Sequence, residues 1–241
     1  MPAPTAIEAL GVWERGQGQN QAERGLGLLA LAQTASPGRA LCDVSIGARD
    51  AALVALREAM FGARLDGCVN CPSCGATMEF DFNAAAILVP PPETETVSVR
   101  IDGYALTLRA ITSRDLLALG ETSAPDARLA LLSRCVVDAS HDGAAAEISG
   151  LPASVLDAAA QALSDADPQA DVRLAMACAN CGHSWKATFD ILSYLWTELD
   201  SWARRALHDV HTLARFYGWR EADILAMSPL RRKFYLDMVA S

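Results

Sequence analysis

Cys71-Pro72-Ser73-Cys74-Gly75 and Cys178-Ala179-Asn180-Cys181-Gly182 are two copies of one short pattern, with Gly75 and Cys178 103 positions apart in a chain of 241 residues. Two residues between cysteines let both sulfurs reach one tetrahedral ion, and the following glycine accepts the positive φ of the turn. Strand-like sequence flanks each copy. Met78, Phe80 and Phe82 alternate with Glu79 and Asp81, and Trp185, Ala187 and Phe189 alternate with Lys186 and Thr188. Val172, Leu174 and Met176 lead into the second knuckle in the same way. The pattern predicts a zinc ribbon split in two, with Cys71, Cys74, Cys178 and Cys181 as ligands of a structural Zn2+.

Cys68-Val69-Asn70-Cys71 is a second, overlapping pair. Cys71 with Cys74 is favoured because that pair alone carries the glycine seen after Cys181, which leaves Cys68 a spare thiol that competes for a ligand position. His183 could also ligate, but four cysteines already complete a set, so it reads as a polar residue of the ribbon. Cys42 and Cys135 lie among apolar residues and are expected to be buried and inert. A thioredoxin-like centre needs one pair between a strand and a helix, whereas both pairs here lead into strands. Seven cysteines are an odd count, and no charged-then-apolar export signal opens the chain, so a disulfide framework is disfavoured. In zinc-finger peptides a structural site contributes on the order of 10 kcal/mol.

A hydrophobic content of 51% suffices for a substantial core, and no apolar run approaches the roughly 20 residues that cross a bilayer. The chain is therefore expected to be soluble and intracellular, with no membrane partner. A net charge of −9 argues against nonspecific nucleic-acid binding, which rests on neutralising phosphates. No Ser-His-Asp order, phosphate loop or HExxH helix is present, and a four-cysteine zinc site keeps no open position, so an enzyme is not expected.

Around the knuckles the reading is α+β, predominantly helical, with an inserted β-hairpin and helices. It divides into an N-terminal helical region over 1–64, the first ribbon half over 65–90, the insertion over 91–170, the second ribbon half over 171–190, and a C-terminal helical region over 191–241. Helices are expected over 7–15, 22–33 and 48–61, with Pro37-Gly38 closing the first pair. Asp102-Gly103 suits a type I′ turn, which pairs Ile101 with Tyr104, Val99 with Leu106 and Val97 with Leu108 on one apolar face. Thr112 to Asp115 resembles a capping box for a helix through Leu119. Further helices are expected over 126–137, with Leu129, Leu132 and Val136 on one face, and over 152–164, opened by Pro152. Asp165, Asp167 and Asp171 lack the glycine and final glutamate of an EF-hand and read as a solvated acidic connector.

From Asp190 to Tyr217 apolar residues recur at helical spacing over about 40 Å, more than a small ribbon can cover. His208 and His211, spaced i, i+3, read as part of its polar face. Gly218 stops this helix, Trp219 opens a short one through Met227, and Ser228-Pro229 opens a terminal helix with Leu230, Phe234 and Met238 in line. Arg231, Arg232 and Lys233 stand in its first turn, where the helix dipole disfavours positive charge. With Trp219 and Phe234 they are the candidate partner-binding residues, suited to an acidic partner.

Several segments together resemble a known family: Trp13-Glu-Arg-Gly, Gly47-Ala-Arg-Asp with Leu56-Arg-Glu-Ala-Met-Phe-Gly, CPSCG before MEFDF, DPQADVRLAMACANCGHSWKATFDI over 167–191, and the Trp- and Tyr-rich stretch that follows to residue 239. The chain resembles the T4-type baseplate hub assembly chaperone family, among the baseplate proteins of contractile phage tails and contractile injection systems. The resemblance implies a non-enzymatic part that helps to build the baseplate or remains in it. It implies hub, spike or wedge proteins as partners, and a place in the cytoplasm of the producing cell or in the phage-tail-like particle. The metal ligands carry over as Cys71, Cys74, Cys178 and Cys181, while Cys68 has no expected counterpart. The competing expectation is a zinc-ribbon regulator that binds nucleic acid through Arg231, Arg232 and Lys233 with Trp219 or Tyr235.

Overall fold

The structure, a computed structural model, describes residues 1–32, 40–92, 94–120 and 124–239. In chain order its elements are α1 (Ala6–Gly16), α2 (Gln21–Leu31), α3 (Ile46–Phe61), β1 (Arg64–Asn70), β2 (Thr77–Asn83), β3 (Thr96–Ile101), β4 (Tyr104–Arg109), α4 (Ser113–Leu119), α5 (Ala124–Cys135), β5 (Val136–His141), β6 (Ala144–Ala145), α6 (Ala153–Ala166), β7 (Arg173–Ala177), β8 (Ser184–Thr188), α7 (Ile191–Tyr217), α8 (Glu221–Leu225) and α9 (Pro229–Val239). The fold is α+β with small antiparallel sheets. Gln33 and Pro37-Gly38 lie outside the described residues.

α1 and α2 both start with a capping box, Thr5 with Glu8 and Asn20 with Glu23, which satisfies the otherwise orphaned N–H groups of the first turn. Leu28 of α2, Leu53 and Leu56 of α3, and Leu192, Leu195 and Leu199 of α7 form the central core, with Leu65 of β1 and Phe189 beside them. The second half of α7 does not wait for another protein. Ala203, Val210 and Leu213 are covered by Leu10 of α1 and by Ile224 and Leu225 of α8, so most of the apolar face that exceeds the ribbon is closed within the chain. Gly218 ends α7 in the left-handed region at φ 69°.

In the insertion, β3 and β4 pair Ile101 with Tyr104, Val99 with Leu106 and Val97 with Leu108, the register the turn dictates. Asp102 and Gly103 have φ of 51° and 79°, both positive as type I′ requires. The helix expected over 126–137 ends earlier, at Cys135, and Val136 opens a strand instead of extending a helical face. Two consecutive β-branched residues favour the strand, and a second Asp-Gly turn at Asp142-Gly143, with φ of 50° and 85°, folds β5 onto β6. The hairpin is thus part of a four-stranded sheet, β3-β4-β5-β6. Where the register shifts between Thr107 and Leu108, Val137 has no opposite residue and stands 61% exposed. Leu129 is likewise on the outside, while Leu106, Leu108, Leu132, Val155 and Leu163 make a second core between this sheet and α5 and α6.

The insertion meets the body at the start of α3. Ile46 N–H donates to the Ile111 carbonyl at 2.9 Å, and Gly47 N–H donates to Asp167 Oδ2 at 2.9 Å. Asp167 is therefore not solvated as expected but buried, because it satisfies a helix N-terminus of another segment. A Cβ at Gly47 would lie 1.7 Å from Asp167 Oδ1. Asp115 is the other buried acid that ties segments together. It accepts both guanidinium nitrogens of Arg109 at 2.7 and 2.8 Å, Arg134 Nε at 3.1 Å, and the Thr112 hydroxyl and N–H at 2.7 and 3.0 Å.

Burial alone would raise the pKa of Asp115, but the Arg109 fork and the Thr112 donors outweigh it and hold the carboxyl well below its ordinary value of 3.8. A depressed folded-state pKa means that this stabilisation is complete above the ordinary value and is lost as pH falls below it. Asp115→Asn is expected to cost about 3 kcal/mol in chemical denaturation at neutral pH, since a buried pair is broken. Below pH ~4 the difference from wild type should shrink. Gly47→Ala is expected to destabilise by about 1–3 kcal/mol in the same assay, because the methyl must displace Asp167.

Candidate metal centre

Each knuckle is built by the hairpin that carries it. In the first, Gly75 N–H donates to the Cys71 carbonyl at 2.9 Å and Cys71 N–H donates to the Ala76 carbonyl at 2.9 Å. In the second, Gly182 N–H donates to the Cys178 carbonyl at 2.9 Å and Cys178 N–H donates to the His183 carbonyl at 2.8 Å. Gly75 and Gly182 have φ of 73° and 74°, a region costly for a residue with a Cβ. The same local geometry is thus made twice.

The knuckles converge. The four sulfurs of Cys71, Cys74, Cys178 and Cys181 all lie within 4.8 Å of one another, an arrangement that can hold a metal ion. Cys71 Sγ is 3.7 Å from Cys181 Sγ, and Cys74 Sγ is 3.6 Å from Cys178 Sγ. A disulfide would need about 2.05 Å. A tetrahedron with metal–sulfur bonds of ~2.3 Å has edges of about 3.8 Å, close to these two distances, so the donor set suits one tetrahedral ion. Cys71 and Cys178 are buried, while Cys74 and Cys181 are exposed.

Electrostatics distinguishes the thiols. The Ala76 backbone N–H, Asn180 Nδ2 at 3.6 Å and the neighbouring thiols lower the Cys74 pKa to about 6. For Cys181 the His183 N–H acts downward, but hydrogen bonds with Cys74, Cys178 and Cys71, together with desolvation, push it up to about 11. Of this neighbouring pair, Cys74 therefore ionises readily while Cys181 is held protonated beside it.

Cys68 and His183 both lie outside this sulfur cluster. Cys68 is exposed on β1 opposite Glu79, and the His183 ring lies along Trp185 with centroids 6.0 Å apart. Cys135 is buried, and burial pushes its pKa up to about 11. Cys42 departs from expectation. It is only half-buried, and Arg114 Nη2 lies 3.0 Å from its sulfur.

The ribbon halves are separate two-stranded sheets, β1-β2 and β7-β8, and the body supports them. Phe82 meets Phe189 edge-on at 5.5 Å. The Tyr194 hydroxyl of α7 donates to the Asp66 carbonyl at 2.8 Å and accepts its N–H at 3.2 Å. Arg57, 3% exposed, pairs with Glu198 through Nε at 2.9 Å and Nη2 at 2.8 Å, and its Nη1 donates to the carbonyls of Gly62 and Arg64. These anchors escape a sequence reading because Arg57 and Glu198, and Asp66 and Tyr194, are distant along the chain and form no short motif.

The candidate partner-binding residues are divided by α9. Arg231, Lys233 and Phe234 are exposed, and Phe234 stands in line with the exposed Leu230 and Met238. Trp219 is half-buried, stacked on Tyr217 at 4.4 Å and edge-on to Tyr235 at 4.8 Å. Arg232 does not join an exposed basic cluster. It turns inward and is 7% exposed.

Compared with known proteins, the chain has no match among curated sequences or solved structures. A family model described as T4 bacteriophage base plate protein matches residues 31–196, which include both knuckles, the insertion and the start of α7. That match spans more than half of the chain, and the protein belongs to the T4 bacteriophage base plate protein family.

Proposed function

We propose that the protein is a zinc-clasped, non-enzymatic component that acts in the assembly or structure of the baseplate of a contractile tail or injection system. The observation that carries this reading is the family match, whose residues 31–196 include all four clustered cysteines. Family membership points to other baseplate proteins as partners, and the reading narrows them to hub, spike or wedge proteins. Among the described residues no helix is long and apolar enough to cross a membrane. The metal is zinc because a four-thiolate tetrahedral set suits it, and four protein ligands leave no open position for a substrate. Its role is mechanical. A two-stranded hairpin is marginal alone, and one ion shared by two hairpins makes each the support of the other. Trp219, Arg231, Lys233 and Phe234 are proposed to contribute to partner contact, with Arg232 acting from beneath the surface.

Full-length protein purified without chelator is expected to carry one zinc ion per chain. Cys178→Ser should abolish zinc retention and lower the unfolding free energy by several kcal/mol, on the order of what structural zinc supplies. Cys68→Ser should keep the zinc. Metal analysis with chemical denaturation checks both, and a Cys178→Ser protein of unchanged stability would remove the clasp. Deleting the gene from a particle-producing strain should leave tails without normal baseplates, as seen by negative-stain microscopy. Normal, functional particles would sink the baseplate role. Mass spectrometry of purified wild-type particles then separates the two forms of that role, since a subunit stays in the particle and a chaperone leaves it.

A further inference from the structure

A groove of about 910 Å³ runs between the segment ahead of α1, the end of α3, the second half of α7 and α9. Met60, Phe61 and Trp202 lie along it, each only half-buried, and Met227 continues the apolar lining. Arg205, His208 and Lys233 are exposed at its edge, and Arg204, already paired with Asp200 at 2.8 Å, stands beside them. Among the described residues lining the groove, Asp209 is the single acid. In a chain of net charge −9 this is a local reversal of sign.

Arg232 lies within the groove and is not satisfied there. It is 7% exposed, and its Nε has no hydrogen-bond partner. Nη2 reaches the carbonyls of Leu225 and Met227 only at 3.4 Å each, and Nη1 stands 3.9 Å from Asp209. Arginine offers five N–H donors in a planar fork and is rarely buried without a close acceptor. An orphaned buried donor costs about 1–3 kcal/mol. The acid that faces it, Asp209, stands beyond hydrogen-bond reach at 3.9 Å, and burial raises its pKa although Arg232 and His208 act against this.

We propose that this groove receives an amphipathic segment of another baseplate protein, whose apolar side chains cover Met60, Phe61 and Trp202 and whose carboxylates complete Arg232 and pair with the basic edge. The planar guanidinium matches a carboxylate in two-point geometry. The apolar floor and the acidic whole disfavour a nucleic-acid strand, which would want base-stacking surfaces along an extended positive track. The source of the segment rests on the baseplate reading, but the chemistry of the groove does not. α8 and α9 and the second half of α7 lie beyond the matched residues 31–196, so of the groove's described lining only Met60 and Phe61 fall within the family match.

The chain has two lysines, Lys186 on the ribbon and Lys233 at the groove edge, so for a peptide with its own amines blocked the side-chain amines that carbodiimide can join to its carboxylates are these two, besides the terminal amine. The probe is a synthetic amphipathic peptide with leucine and phenylalanine on one face and glutamates flanking it, and its control has lysine in place of each glutamate. Added to the full-length protein in fluorescence anisotropy, the acidic peptide is expected to bind at least about tenfold more tightly than the control, with the preference weakening as salt rises. Carbodiimide should join it to Lys233 and not to Lys186. Arg205→Glu, at an exposed position, should weaken binding about tenfold with secondary structure and metal content unchanged, and Arg232→Met should do so as well. Equal affinity for the two peptides, or coupling at Lys186 as readily as at Lys233, would overturn the groove. Peptide binding by a protein whose deletion leaves particles normal would instead keep the groove and remove the baseplate reading.

Discussion

Everything around the two knuckles depends on four sulfurs meeting at one point. Cys74 and Cys178 are 104 positions apart, and their sulfurs lie 3.6 Å from each other. Closing so long a loop costs chain entropy, and neither ribbon hairpin buries enough to repay it by itself. A tetrahedral ion shared by the four thiolates, as proposed, would supply a local, directional gain that two-stranded sheets cannot, and would do so at the tips of the two hairpins.

The other end of each hairpin is held by ordinary protein chemistry. Arg57 and Tyr194 fix the start of β1 against α3 and α7, and Phe82 and Phe189 pack the bases of the two hairpins together. The insertion is carried on this frame through Ile46, Gly47 and Asp167, with its own core and its own buried hub at Asp115. α7 then runs out from the ribbon into a third core, where α1 and α8 cover it. One continuous helix thus connects the ribbon end of the protein with the groove at the other end. A partner seated in the groove as proposed would lie at a set distance from the four-cysteine cluster.

Much of this was legible in the sequence for a physical reason: the signals were local. Two residues plus a glycine define a knuckle, Asp102-Gly103 defines a turn and hence a register, and Gly218 ends a helix in the left-handed region. The sheet formed by β5 and β6 was missed although Asp142-Gly143 carries the same turn signal. The strand before it, Val136 to His141, breaks its apolar alternation at the bulge, and Val136 also fits the helical spacing set by Leu132. Local sequence reads Asp167 as solvated and Arg232 as part of a surface docking cluster, because charge is normally outside. Each is buried by a partner segment that no local spacing could identify, Gly47 for one and the α7–α9 packing for the other. The same limit hid the groove, whose residues come from four separate parts of the chain.

The most direct measurement is X-ray absorption at the zinc edge on the purified full-length protein. The clasp predicts bound zinc with four sulfur neighbours at about 2.3 Å and no nitrogen or oxygen ligand. Zinc with a mixed or open shell, or a metal-free protein whose four cysteines are oxidised to disulfides, would contradict it.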